Sequence, residues 1–283
     1  MKKIILFAAV LISIISCKKT NKGSQTSGVH LSKLIRLDTT QQAPNDTLEI
    51  DTYTYDNSGR WISEEDLPAG DNGYADIADG ADRTINTNSY AGNSIVPNLI
   101  VTSEYSGGTL FDTYYDYNVS FSSTGLLLKD SDVVTAPGFP SDATIYEYSY
   151  NGSIVIESQT DLSNSSSIET DTATQTKVNG NIVSQVDYVG SSDNGDGTFT
   201  ASYDTNPNPF PDASTSIYPT VDDDNLDFGQ KNNLTEITGQ SEGTPVHTKY
   251  TYTYNANGYP ATVVAYDLSS GSPVFVYKGI YVY

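Results

Sequence analysis

The sequence predicts an all-β protein, a single curled antiparallel meander that forms a half-barrel or a barrel, with long loops and little helix. Three observations carry this. Side chains alternate with period two, most plainly over Lys249 to Tyr254, where Tyr250, Tyr252 and Tyr254 share one strand face and Lys249, Thr251 and Thr253 share the other. Glycines recur at turn positions, and no stretch of the mature chain sustains a 3.6-residue apolar period over three turns. The last residues, Val274 to Tyr283, alternate aliphatic with aromatic, so both faces are apolar apart from Lys278 and Gly279, as in a strand covered on both sides.

Taken in order, the chain opens with Met1-Lys2-Lys3 and an apolar run that ends at Ser16-Cys17. Basic residues, an apolar stretch and a small residue are the three regions of a secretory signal. At roughly 12 residues the run is short for a transmembrane helix. This end resembles the lipobox of bacterial lipoproteins, which are cut before a cysteine and acylated on it. The resemblance implies removal of residues 1–16, lipidation of Cys17, a tether over 17–28 and attachment to the outer membrane through acyl chains. Lys18, Lys19 and Lys22 stand where surface-exported relatives tend to carry acids, so the periplasmic face is expected rather than the cell surface. Cys17 is the only cysteine, so no intrachain disulfide is available.

The 283 residues carry 35 acids against 14 lysines and arginines, a net charge of −21. That balance excludes nucleic acid as a partner and excludes electrostatic adhesion to anionic lipid. With 37% hydrophobic residues that include 22 tyrosines, rings must supply much of the core, each needing a partner for its hydroxyl.

Residues 29–283 read as one β domain. Val29 to Leu37 is the first strand signal, followed by Asp46 to Asp56, where Tyr53 and Tyr55 face away from Leu48, Ile50 and Thr52. The turn Asp56-Asn57-Ser58-Gly59 leads into Arg60-Trp61-Ile62, and Trp61 and Ser63 are expected on one face. Phe121 stands four residues before Gly125, and Tyr254 four before Gly258, as Tyr55 does before Gly59. Each is a hairpin whose last loop residue needs positive φ. Asn151-Gly152 and Asn179-Gly180 predict tighter, two-residue turns. The glycine spacings are unequal, which favours a meander with uneven loops over a solenoid. Short helical turns are expected over 74–83 and 222–228, and a long loop over about 204–233.

Tyr53-Thr54-Tyr55-Asp56-Asn57-Ser58-Gly59-Arg60-Trp61 resembles the YD repeat of Rhs-type bacterial surface proteins. With Asn208-Pro209-Phe210, Lys231-Asn232-Asn233 and the terminal hairpin Tyr250 to Pro260, the layout also resembles a family of Bacteroidota envelope lipoproteins with YD-like hairpins. That resemblance implies a β-meander or half-barrel and transfers no catalytic residue.

Enzyme motifs are absent from the sequence: no His-Glu-x-x-His, no Gly-x-Ser-x-Gly, no P-loop. No cofactor is expected. Asn194 and Asp196 resemble half of a calcium loop, but Tyr203 stands where its acidic ligand belongs, and a hairpin tip accounts for them without metal. Glu64, Glu65 and Asp66 could supply one member of a glycosidase pair with a distant acid. The expected role is non-enzymatic binding or envelope structure, with glycan as the candidate ligand of Trp61, Tyr53, Tyr55, Tyr250, Tyr252 and Tyr254. A half-barrel carrier for lipid or lipoprotein is the alternative, and a glycoside hydrolase the third reading.

Overall fold

The structure, a computed structural model, describes residues 30–40, 46–69, 74–92, 94, 97–122, 127–135, 142–151, 154–162, 168–188, 197–210, 230–241 and 243–283. The signal, Cys17, the tether, Asn194, Asp196 and the helical turn expected over 222–228 lie outside the described residues. The strands are β1 (Lys33–Leu37), β2 (Thr47–Tyr55), β3 (Trp61–Pro68), β4 (Arg83–Ser89), β5 (Leu99–Ser106), β6 (Thr109–Phe121), β7 (Leu127–Thr135) and β8 (Asp142–Asn151). They continue with β9 (Ile154–Asp161), β10 (Ile168–Val178), β11 (Asn181–Tyr188), β12 (Thr198–Pro207), β13 (Asn232–Ser241), β14 (Thr244–Tyr254), β15 (Pro260–Asp267) and β16 (Val274–Val282). The helix α1 (Tyr74–Asp79) falls where a helical turn was expected.

Every strand pairs antiparallel with its sequence neighbours, and β1 pairs with β16 from Lys33↔Val282 to Leu37↔Lys278. The meander is therefore a closed 16-stranded barrel, and closure leaves no edge strand exposed.

Alternating burial separates inside from outside. On β15, Val263 and Ala265 are 1% and 0% exposed, while Thr262 and Val264 between and beside them are half-buried. The ladder carries the Val263 face round to Leu34, Asp51 and Tyr53 on one side and to Ile237, Phe199 and Gln185 on the other. All of these are buried, and no second layer covers them among the described residues, so this face lines the lumen. The outer face is mixed: the ladder sets Ile35 beside Ile50 and Ile280, and Ile50 beside Leu67, on it. It holds exposed hydroxyl pairs, Thr54–Ser63 and Thr253–Thr262, and the ion pair Lys129–Glu147 at 3.0 Å.

The hairpins after β2, β6, β10 and β14 share an irregularity that β1–β2, β5–β6, β12–β13 and β15–β16 also show. Thr54 pairs with Ser63 but Tyr55 with Trp61, so β3 holds one extra residue, a β-bulge at Ile62. The same two-for-one step occurs after the β6–β7 turn (Phe121↔Leu127), the β10–β11 turn (Lys177↔Ile182) and the β14–β15 turn (Tyr254↔Pro260). In each case the residue just past the turn is buried: Trp61, Leu127, Ile182 and Pro260. The bulge also corrects the expected facing of Trp61. The extra residue reverses the alternation, so Trp61 turns into the lumen while Ser63 bonds outward to Thr54.

Candidate functional site in the barrel lumen

At the end of the barrel where these four turns lie, rings fill the interior. Tyr53 sits 5.7 Å from Trp61 and 5.6 Å from Phe210, centroid to centroid. Phe210 follows β12, six strand steps from β2, or roughly 29 Å along the wall at about 4.8 Å per strand. Three residues past Pro207 span only about 10 Å. The Asn208–Phe210 segment therefore crosses the barrel's end rather than following its rim, and Asn208 and Phe210 are buried there. Trp61 is 7% exposed, and its indole N–H donates to Ser63 O at 2.9 Å. Tyr53 is also buried, and Tyr55 is half-buried beside His30, with centroids 4.6 Å apart.

The other three candidate rings lie on β14. Tyr250 packs against the buried cluster of Ile182, Phe199, Ala201, Leu234 and Ile237, and the rings of Tyr252 and Tyr254 stack at 6.1 Å. The Tyr254 hydroxyl donates to Asp204, whose carboxylate also accepts from Asn233 Nδ2 at 3.1 Å. Asn232 Nδ2 donates to Asn206 O, and Asn181 Nδ2 to Asn232 Oδ1, both at 3.0 Å. These amides border a cleft of about 500 Å³ between the β10–β11 turn, β12 and the start of β13. Asn179, Asn181, Tyr203, Asp204, Lys231 and Asn232 line it. The sequence motifs Asn208-Pro209-Phe210, Lys231-Asn232-Asn233 and the terminal hairpin thus meet at one end of the barrel.

A second site lies on the lumen wall of β1 to β3. Arg36 pairs with Glu49 and reaches Asp51 at 3.3 Å. Glu49, Asp51 and Asp66 each offer a carboxylate oxygen, and these lie within 4.8 Å of one another. The Tyr53 hydroxyl lies 3.4 Å from Asp51 Oδ2, and Asn86 Nδ2 donates to Glu64 at 3.2 Å. Burial drives the Asp51 and Asp66 carboxyls well above the usual range, with Arg36 pulling both back. Farther round the wall, burial and then the neighbouring Asp132 and Asp130 push Asp116 up to about 8.

Of the acids singled out in the sequence, Glu64 and Asp66 turn inward, whereas Glu65 lies on the outer face, 3.8 Å from Arg83. Arg36, Glu49 and Asp51 were not anticipated. Their signal was present in the alternation Glu49-x-Asp51-x-Tyr53, which puts both acids on the tyrosine face.

Fold and lumen together define a closed up-and-down barrel with a ring-filled end and an acidic wall. No protein-family model and no curated protein matches the chain. Among solved structures, it is similar to a porin-like protein from Bacteroides uniformis ATCC 8492, at 15% identity and a TM-score of 0.51, over 89% of this chain and 97% of that one. A porin-like protein from Bacteroides vulgatus ATCC 8482 matches at 13% identity and a TM-score of 0.43, over 90% and 98%. At such identity the likeness to the first is one of fold alone.

Proposed function

We propose that the chain is a non-enzymatic envelope lipoprotein, held at the outer membrane by acylated Cys17, that binds a saccharide at the amide-lined cleft. The observation that carries this is the cleft's chemistry. Amides, a carboxylate, an ammonium and a tyrosine ring surround a volume that accommodates one or two sugar rings. A lipid carrier fits less well, because an acyl tunnel requires aliphatic lining, and this lumen presents Arg36, Glu49, Asp51, Glu64 and Asp66. A glycosidase fits less well too. The carboxylates of the wall are closer together than the about 5–5.5 Å that brackets a sugar ring in retaining enzymes, and Asp51 is sealed at 2% exposure.

In this reading the acylated anchor is what holds the barrel at the membrane. Its outer face carries Lys249 beside Glu236, Lys278 within β16 and the Lys129–Glu147 pair, alongside an apolar row of Leu67, Ile50, Ile35 and Ile280. The likeness to a barrel named porin-like agrees with an envelope setting. The periplasmic side follows from Lys18, Lys19 and Lys22 after the anchor.

Two measurements test the proposal. Cys17→Ser should move the protein from the membrane fraction to the soluble envelope fraction; unchanged retention would refute the anchor. Native mass spectrometry and calorimetry with envelope oligosaccharides should detect a complex that Lys231→Ala combined with Asn179→Gly weakens at least about tenfold. Equal binding by the double variant would refute the cleft.

A further inference from the structure

We propose that Glu49, Asp51 and Asp66 form a binding site for a divalent cation of the calcium class on the lumen wall. Once an ion displaces the protons that burial keeps on this cluster, three carboxylates beside one guanidinium carry two negative charges, which one divalent ion neutralises. The spacing fits as well. Calcium takes oxygens at about 2.3–2.6 Å, so two ligands on opposite sides of the ion stand up to about 5 Å apart. The three oxygens here fall within 4.8 Å of one another.

A second observation is independent of the clustering. The Asp51 side chain is 2% exposed, and its Oδ1 is buried without a hydrogen-bond partner, although Oδ2 meets Arg36 and Tyr53. Asp66 Oδ1, on the cross-strand partner residue, is orphaned in the same way. Two such buried oxygens on paired residues are met either by a proton shared with a neighbouring carboxyl or by a metal ion. Arg36 meets Glu49 and Asp51 Oδ2 through Nη1 and bonds neither Oδ1. The strands supply a rigid frame. Asp51 and Asp66 are register partners on β2 and β3, and Glu49 lies one inward position along β2.

Terbium is a luminescent stand-in for calcium, and Tyr53 provides the antenna, since its hydroxyl is 3.4 Å from Asp51 Oδ2. The full mature protein, stripped with chelator, is titrated with Tb³⁺ under tyrosine excitation and then with Ca²⁺. The expected result is a saturable signal of about one equivalent that Ca²⁺ displaces. Asp66→Asn and Glu49→Gln should each weaken it at least about tenfold, while Asp116→Asn, elsewhere on the wall, keeps wild-type affinity. Should Asp66→Asn fail to fold, Glu49→Gln decides alone, because Glu49 is partly exposed and its amide preserves shape. An unsaturable signal overturns the site. So does wild-type affinity in the folded variants, which would leave shared protons to balance the cluster. An equal loss in Asp116→Asn would assign the binding to the general acidity of the lumen, and likewise overturns it.

Discussion

The phenolic hydroxyl of Tyr283 donates to the carbonyl oxygen of Pro260 across 2.9 Å, joining the end of β16 to the bulge that opens β15. Three other tyrosines repeat the relationship: Tyr90 to Trp61 O at 2.6 Å, Tyr150 to Leu127 O at 2.6 Å and Tyr203 to Ile182 O at 2.8 Å. The acceptor is each time the inward residue just past a bulged turn, and the donor lies on or just past every fourth strand. The barrel is thus four variations of a four-strand unit. A carbonyl at a bulge loses its ladder partner, and the tyrosine supplies one.

Tyr150→Phe and Tyr203→Phe should each destabilise by about 1–2 kcal/mol, because a part-buried carbonyl loses its donor while the ring stays in place. The sites lie in different units, so the double variant should lose close to the sum in denaturant titrations. A fold indifferent to both changes would contradict the capping role.

Phe210→Ala should cost about 3–5 kcal/mol, as expected for removing a buried ring, and should loosen the closed end. Trp61 reports on this directly, being the only tryptophan. Wild-type emission should be blue-shifted and resistant to acrylamide, since the indole is 7% exposed. In Phe210→Ala it should shift red and become quenchable. Unaltered emission would mean that Phe210 does not seal the ring cluster.

Two glycines separate backbone strain from steric conflict. Gly258 holds φ +82, and a Cβ there would meet nothing closer than 3.9 Å, so Gly258→Ala should cost only about 1–2 kcal/mol of left-handed strain. Gly239 is extended, yet a Cβ would fall 1.9 Å from Thr198 O and 2.7 Å from Phe199 Cα on the paired strand. Gly239→Ala must therefore displace β12 from β13 and should lower the melting temperature more. The reverse order would sink the argument.

Burial raises the Asp116 carboxyl to about 8, against roughly 3.9 in an unfolded chain. Between those values the folded state holds a proton that the unfolded state has released, so stability falls as pH rises through the window. Asp116→Asn removes the charge and should flatten part of that slope, most visibly in melts compared between about pH 5 and pH 8 with chelator present. A slope unchanged by the substitution would show that Asp116 is not a source of it.

What the sequence by itself determined is local. Period-two alternation placed Tyr250, Tyr252 and Tyr254 on one face. Turn chemistry placed Gly59, Gly180 and Gly258 at positive φ, where the structure has them at 78°, 89° and 82°. Both are written in neighbouring residues, because side-chain alternation and left-handed backbone depend on little else. The tertiary structure alone decided the rest. Closure depends on Lys33 meeting Val282 at the far end of the chain, and a meander of the same strands could have stayed open. One extra residue at Ile62 reversed the facing of Trp61, and local alternation cannot reveal an unpaired residue that only the partner strand defines. Arg36, Glu49, Asp51 and Asp66 come from three strands, and they converge because ladder register, a non-local property, sets them side by side.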